Sequence, residues 1–253
     1  MSKFLVIGLL VVGFAAVVGG MLVLMARGAA QWRRKMDDLL LPIGFEHCDD
    51  DAEKAALAQR LGIVNPRHQG KRALARLYQR RLADGATRLF VGDYHFGSAG
   101  GRTSGGTWLI VALVAPGAAW PRLSITAVPR VPALLCRLAS TLDRQLAIPG
   151  LRRVQTGQAA LDARLLVHAG QDGPPPAQLL KVLDRLQRCG AEPSLDCGGD
   201  TLVLTSVSML AERVRQQLDG QKLLALIHLA QPIQEALQAG QPPDPAPSGP
   251  ATP

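Results

Sequence analysis

The longest apolar stretch of the chain lies near its N-terminal end. Residues 4–26 form a run of 23 positions without a charged side chain, bordered by Lys3 and Arg27. At about 1.5 Å per residue, a helix of this length extends about 34 Å, which exceeds the hydrocarbon core of a bilayer at about 30 Å. Backbone amides find no water in lipid, so a helix is the expected conformation there. The pattern predicts a transmembrane anchor over residues 1–26.

A cleavable signal peptide is the alternative interpretation of this run. The apolar region of a signal peptide usually has about 7 to 15 residues and is followed by small residues at the cleavage site. Here the run is longer, and Arg27 stands where small residues should dominate, which favours a retained anchor. Residues 27–43 are predicted to continue it as a short juxtamembrane helix, which Pro42 and Gly44 end.

Basic residues are distributed unevenly around the predicted anchor. Only Lys3 precedes it. Four basic residues follow closely, namely Arg27, Arg33, Arg34 and Lys35. Because the more basic flank stays in the cytoplasm, we expect a single-pass protein of a bacterial inner membrane with its C-terminal domain in the cytoplasm. We also expect the Trp32 indole at headgroup level, with the four basic side chains contacting anionic lipid.

Beyond the juxtamembrane helix, the pattern predicts an antiparallel-sheet α+β domain over residues 44–238. Aspartates at 49–51 precede a segment of 3.6-residue period, which indicates a capped helix. Residues 87–96, 107–116 and 122–129 have strand patterns separated by turn and glycine-rich segments. Residues 74–82 fit either a strand or a short helix. We therefore expect an antiparallel meander of three or four strands.

The second half of the domain alternates helical and strand patterns. A helix is predicted over 132–148, a loop at Arg152 and Arg153, a strand over 160–170 and an amphipathic helix over 174–190. Residues 193–207 are expected to form a hairpin, and a long helix follows from about 208 to 238, with a notch at Asp219 and Gly220. A break near residue 150 is compatible with a division of this domain into two subdomains. The Pro-rich tail 239–253 is expected to be disordered.

Composition narrows the classes of partner. The chain carries 28 Lys and Arg against 20 Asp and Glu, a formal charge of +8. A basic domain beside a membrane anchor is attracted to anionic headgroups. No zinc-finger or RNP-like motif is present and the arginines are scattered, so we expect no nucleic acid as a partner. Arg far outnumbers Lys, and Ala, Leu and Gly are abundant, which is typical of GC-rich bacterial genomes.

Short motifs point to a group of bacterial proteins. They are GFE at 44–46, a strand that ends in GDYHF at 92–96, an apolar strand, and WPRLSITAVP at 120–129. In these motifs the chain resembles uncharacterised bacterial membrane-anchored proteins with one N-terminal span and a cytoplasmic α+β domain. No activity is known for that group. The resemblance therefore implies an architecture and no catalytic residues.

Three residues are the weak candidates for catalysis. Asp93 and His95 end one predicted strand, and His168 ends another. Two histidines that met over a cleft, one oriented by Asp93, could move a proton. Asp93 and His95 share one face of their strand while Tyr94 points to the other. A solvated sheet face is the simpler explanation of this alternation, and we expect it.

The remaining polar motifs favour structural roles. The glycine-rich segment 97–106 lacks the ending of a phosphate-binding loop and joins two strands, so it is typical of a flexible hairpin loop. Arg102 at its tip is a candidate contact for an anion or a partner. His47, Cys48 and the aspartates at 49–51 are adjacent in sequence, and adjacent residues rarely converge on one metal ion. We expect no metal and no cofactor.

Two hypotheses of different classes follow. The first is a membrane-tethered, non-enzymatic domain that binds a protein partner or the membrane surface. The second is a membrane-bound hydrolase or other enzyme that uses Asp93, His95 and His168. Proximity of these three side chains in a concave pocket would favour the enzyme, and a scatter of the three over solvated surface would count against it.

Overall fold

A computed structural model gives the conformation of most of the chain. It describes residues 3–64, 72–96, 106–127, 150–171, 176–189, 193–206 and 218–239, together with Ile148 and Gly173. Within residues 3–26 it describes the side chains at 14, 18–20, 23 and 26. The predicted helix at 132–148 falls almost wholly outside these residues, and the tail at 239–253 does so beyond Ala239.

Most of the described helices agree with the periodic segments of the sequence. The helices are α1 (Lys3–Leu40), α2 (Asp51–Val64), α3 (Ala159–Asp162), α4 (Pro176–Arg188) and α5 (Gly220–Gln238), with a 3-10 turn at Leu41–Ile43. The strand predicted over 160–170 is wrong at its start, because Ala159–Asp162 form a short helix and the strand begins only at Leu165. Gly44, at φ +86°, ends the first segment as predicted. The backbone N–H of Ala52 donates to the Asp50 carboxylate at 2.8 Å at the start of α2. Asp219 accepts from the N–H groups of Gln221 and Lys222 and thereby caps α5.

Nine described strands form one antiparallel sheet, which confirms the α+β class. They are β1 (Glu46–His47), β2 (Arg72–Arg81), β3 (Arg88–Phe96), β4 (Gly106–Val114), β5 (Trp120–Ala127), β6 (Arg152–Val154), β7 (Leu165–Ala169), β8 (Pro193–Gly199) and β9 (Thr201–Ser206). The order across the sheet is β1-β2-β3-β4-β9-β8-β5-β7-β6. Strands from both sides of residue 150 therefore hydrogen-bond within the same sheet.

Two sequence predictions about the sheet are wrong. The predicted meander continues from β4 to β5, but the β8–β9 hairpin lies between them, because β9 pairs with β4 and β8 pairs with β5. Arg152 and Arg153 were expected in a loop, yet they belong to the edge strand β6, which pairs with β7. A three-residue strand and a non-local pairing leave almost no local signal in sequence.

The two faces of the sheet differ in their cover. We call the anchor face the one that α1, α4 and α5 cover. A row of directly opposed, buried apolar side chains crosses it: Val91, Val111, Leu204, Leu195, Ile125 and Val167. We call the opposite side the distal face. On it, α2 packs Leu57, Leu61 and Val64 against Phe90 and Ile110.

The C-terminal part of α1 belongs to the core of the domain. Trp32, Met36 and Leu40 lie four residues apart on one side of the helix, and each is at most 2% exposed. Gly28, one turn before Trp32, is also buried. The helix is continuous from the apolar run into this buried stripe, so no hinge separates them.

Among the residues that the structure describes, no helix satisfies both the length and the apolarity needed for a bilayer crossing. The anchor at residues 1–26 therefore stays a prediction from the sequence.

Candidate functional site

A polar cluster lies where α1 meets the sheet, and we call it the junction cluster. The Tyr78 hydroxyl donates to Oδ1 of Asp37 at 2.7 Å, and Nε2 of His47 lies 3.3 Å from the same oxygen. The rings of His47 and Tyr78, which are directly opposed on β1 and β2, have centroids 4.8 Å apart. One carboxylate of the helix is thus joined to two neighbouring strands.

Two arginines surround this cluster. Burial and the hydrogen bond to Asp37 raise the pKa of Tyr78, whereas the charges of Arg33 and Arg76 act in the opposite direction. Arg33 belongs to α1, and Arg76 belongs to β2, two residues before Tyr78. Arg33 precedes Asp37 by one helical turn and is exposed to solvent.

Arg76 sits in an irregular part of β2. The pairing of β2 with β3 shifts between Ala75 and Tyr78, and Arg76 has φ +51°, the only positive φ of a described non-glycine residue. A β-bulge of this kind re-aims a side chain at a cost in backbone strain. Gly92 makes room for it, since a Cβ there would lie 3.1 Å from the Arg76 carbonyl oxygen and 3.2 Å from Cα of Leu77.

The bulge aims Arg76 at a buried carboxylate. Its NH1 nitrogen lies 3.7 Å from Oδ2 of Asp93, whose side chain is 3% exposed, while 30% of the Arg76 side chain remains exposed. An uncompensated buried charge is costly, so a nearby cation stabilises this carboxylate. The NH1 nitrogen itself is buried.

Sequence reasoning placed Asp93 and His95 on one face of β3, and the register confirms this, because they oppose Leu109 and Thr107 of β4. The expectation of a solvated face is wrong for Asp93, which lies on the buried anchor face. His95 is half-buried, and its Nδ1 lies 2.7 Å from the hydroxyl oxygen of Thr107. A charged residue is tolerated on this face because Arg76 accompanies it.

The distal face carries a second polar group, which we call the distal row. Arg153, His168, Ser124 and Asp196 are directly opposed on β6, β7, β5 and β8. His168, Ser124 and Asp196 are each at least 92% buried. The Ser124 hydroxyl has no hydrogen-bond partner among the described residues. Serine stands between histidine and aspartate, so the row lacks the order of a hydrolase triad, in which histidine bridges the other two.

The three catalytic candidates are therefore not brought together. Asp93 and His95 lie on the anchor face of β3, whereas His168 lies on the distal face of β7. Five inter-strand steps separate β3 from β7, which corresponds to about 24 Å along the sheet. No proton can pass directly between Asp93 and His168, so the structure does not assemble these three residues into one site.

The five predicted membrane-surface residues divide into two groups. Trp32 is 0% exposed and packs in the core, so its predicted place among lipid headgroups is wrong, because a side chain without accessible surface cannot meet lipid. Four side chains are exposed, namely those of Arg27, Arg33, Arg34 and Lys35. None of these four has an ion-pair partner among the described residues.

The other polar motifs have local roles or lie elsewhere. Arg102 lies outside the described residues. The Cys48 thiol donates to Glu53 at 3.3 Å, and burial raises the pKa of that thiol. Asp49, Asp50 and Asp51 are exposed around the start of α2. Within the described part of the chain, no three His, Cys, Asp or Glu side chains are placed to share a metal ion.

A small cavity of about 20 Å³ lies on the distal face, beside the C-terminal end of α2. Its lining includes Leu61, Tyr94, Trp108 and Asp196. A space of this size holds about one water molecule. It is too small for a substrate.

Sequence reasoning missed Asp37, Tyr78 and Arg76. One signal for the bulge was present, because Leu74 and Leu77 are three residues apart yet both pack on the distal face. A regular strand places residues an even number apart on one face. No comparable signal marks Asp37, which is one of several charged residues at the end of α1.

No protein-family model, no curated protein and no solved structure matches this chain.

Proposed function

We propose that the protein is a single-pass, membrane-tethered, non-enzymatic domain that lies on the cytoplasmic face of a bacterial inner membrane and binds its surface. The observation that carries the proposal is the continuity of α1 from Lys3 to Leu40. Its first part contains the 23-residue uncharged run, and its last part is embedded in the core of the domain. Such a helix fixes the domain directly against whatever surrounds the run.

The described side chains of the run support lipid as that surrounding. Phe14, Val18 and Val23 are 72%, 38% and 51% exposed. A Cβ built on Gly19 or Gly20 would meet no atom within 4 Å. Large apolar side chains left in water lose the free energy of burial, whereas lipid would cover them.

The basic residues after the run support attraction to anionic headgroups. Viewed down α1, Arg27 and Arg34 lie opposite the buried stripe, and Arg33 and Lys35 flank it on either side. The domain therefore leaves all four charges accessible. Each basic residue near an anionic surface contributes on the order of 1 kcal/mol, and their excess over Lys3 favours a cytoplasmic domain.

Extraction of membranes tests the tether. We expect the native chain to stay in the membrane pellet through washes with high salt and alkaline carbonate. Replacing Ala15 and Ala16 with Arg should release it, because each Arg at the centre of a span costs about 2.5 to 3.5 kcal/mol. The matched control is the same charge added at exposed positions, Gln187→Arg with Gln221→Arg, which should leave the chain in the pellet. Release of the native chain by salt alone would contradict the tether.

Thiol labelling tests the orientation. With the native cysteines replaced, a cysteine at exposed position 187 should react with a membrane-impermeant reagent only after cell lysis. Reaction in intact cells would overturn the cytoplasmic placement.

A further inference from the structure

The chain reverses its direction after α1, and this reversal sets the direction of the first strands. The 3-10 turn at Leu41–Ile43 and Gly44 end the helix. β1 then runs back beside it, because His47 reaches Asp37, ten residues earlier in the chain, at 3.3 Å. β2 is antiparallel to β1. It therefore runs in the same sense as α1, away from the apolar run.

Two contacts of β2 support this direction. The Tyr78 hydroxyl contacts Asp37 at 2.7 Å, and two residues later Arg80 donates to the carbonyl oxygen of Ile43 at 3.0 Å. Both partners thus advance along the chain together. The start of β2 at Arg72 consequently points toward the N-terminal part of α1.

The antiparallel pairing places the ends of the next two strands at the same side. Phe96, the last residue of β3, opposes Arg72 of β2, and Gly106, the first residue of β4, opposes Phe96. We call this side the near end of the sheet and define it by three residues of each strand: 72–74, 94–96 and 106–108.

The near end reaches the level at which the apolar run stops. From Asp37 back to Arg27, the first residue after the run, α1 extends about 15 Å. From Tyr78 back to Arg72, β2 with its bulge extends about 17 to 20 Å, and any inclination to the helix shortens this height. The two heights are therefore similar. Gly28 is buried, so the domain covers α1 to within two residues of the run.

The residues of the near end suit a headgroup layer. They include two basic and three aromatic side chains, namely Arg72, His95, Tyr94, Phe96 and Trp108. Trp and Tyr concentrate where proteins meet headgroups, and basic side chains are attracted to anionic lipid. Asp93 is the only acidic residue of β2, β3 and β4, and it is buried. Ala73 is exposed, so the near end offers accessible surface.

We propose that the near end is the membrane-facing edge of the domain and contacts the headgroups of the anionic bilayer that holds α1. This inference rests on the proposed tether and names the surface of the domain that meets the lipid. The strands β2, β3 and β4 then stand upright on the membrane. The twist of the sheet turns the strands beyond β4 progressively away from this direction, so the contact is confined to these three.

Lipid quenching on the full chain tests this orientation. The native cysteines are replaced, and the chain is reconstituted into vesicles of phosphatidylglycerol and phosphatidylcholine that contain lipid with a nitroxide on its headgroup. A bimane label on Ala73→Cys should lose about half of its fluorescence. The matched control is the same label on Ala83→Cys, an exposed position in the turn after β2. It should lose less than about a tenth, because about 33 Å of strand separates the two positions.

The outcomes separate this edge from the tether. Equal quenching at both positions, or stronger quenching at position 83, would overturn the proposal. No quenching at either position, in a chain that resists carbonate extraction, would overturn the membrane-facing edge and leave the tether standing. Release of the chain by carbonate would overturn both.

A second measurement retains the native cysteines, because Cys48 and Cys197 are buried and their replacement can unfold the chain. The photoreactive residue p-benzoylphenylalanine takes the place of Ala73 or of Ala83. Illumination in phosphatidylglycerol vesicles should attach lipid to the probe at position 73 and not to the probe at position 83, as read by mass spectrometry. Attachment at position 83 as readily as at position 73 would contradict the proposal.

Discussion

The junction cluster and the distal row contain similar residue types in opposite settings. Arg76 lies in a strained bulge beside Asp93, and 30% of its side chain remains exposed. His168 and Ser124 occupy regular cross-strand positions, and both are at least 96% buried. A regular, buried arrangement stabilises one conformation, whereas strain and partial exposure are typical of a binding site. The presence of polar residues therefore does not distinguish a binding site in this protein. The conformation of the backbone that carries them is the better indicator.

The largest expected effect concerns the helix on which the junction cluster depends. Trp32→Ala should lower the free energy of unfolding of the full chain by about 3 to 5 kcal/mol, because a fully buried indole leaves a cavity. Chemical denaturation in detergent, followed by circular dichroism, measures it. Arg34→Ala, on the exposed side of α1, should stay within about 0.5 kcal/mol. A small effect at Trp32 would mean that α1 is not docked and that the junction cluster is not assembled.

The hydrogen bond within the cluster should have a smaller effect. Tyr78→Phe keeps the buried ring and removes the donor to Asp37, so we expect a loss of about 1 to 3 kcal/mol in the same measurement. Asp37→Asn and the double variant complete a cycle that isolates the pair. Purely additive losses would show that the two side chains do not interact, and the junction would resemble a surface contact.

Removal of a polar group from the distal row should raise the stability of the protein, in contrast to the two substitutions at the junction cluster. Ser124→Ala removes a buried hydroxyl without a described partner, so we expect stability to rise by about 0.5 to 1 kcal/mol. Ser194→Ala is the matched control on the same face, because the Ser194 oxygen accepts from the Ala127 N–H at 3.4 Å. We expect Ser194→Ala to lower the free energy of unfolding by about 0.5 to 1 kcal/mol, because it removes a hydrogen bond. A marked loss at Ser124 would indicate a specific hydrogen bond and bring the row closer to a functional site.

The smallest effect concerns the attachment of α2 beside the distal row. Burial alone would raise the pKa of Asp200, but hydrogen bonds from Arg60 and Thr201 outweigh it and lower that pKa. A carboxyl with a lowered folded pKa stabilises the protein above its unfolded value of about 3.9 and loses this contribution as pH falls through the folded pKa. We expect about 0.2 to 1 kcal/mol from this partly exposed pair. Stability measured from pH 5 to pH 2 should fall less steeply in Arg60→Gln, and parallel curves would contradict the assignment.

Local pattern predicted the elements of the fold and not their arrangement. The β8–β9 hairpin and α2 with its aspartates follow from turn, cap and period signals that act over a few residues. Asp219 was predicted only as a notch in a longer helix, whereas it caps the start of α5. The position of that hairpin between β4 and β5 depends on non-local pairing, which no such window contains. Trp32 shows a related ambiguity, since an indole near the end of a span suits a membrane interface and a protein core equally well.

The candidate site was predicted less well than the fold. Asp93 and His95 were selected as chemistry-bearing residues, and their shared face is correct, but their partners Arg76 and Thr107 come from other strands. The pairing of His168 with them failed because two strand ends that look alike in sequence lie on opposite faces of the sheet. Sequence offers residue types, and the register decides which of them can meet.

The unbroken helix α1 has a mechanical consequence for a tethered domain. Protein domains on long, loose linkers sweep a wide volume and can capture partners at a distance. Here the stripe of Trp32, Met36 and Leu40 begins six residues after the apolar run, so the domain has almost no slack. With residues 4–26 in a membrane, as we propose, the domain would keep only rotation about the anchor axis and drift in the plane of that membrane. A tilt of the anchor would tilt the whole sheet with it. A partner would therefore meet the domain in a nearly fixed orientation relative to the membrane.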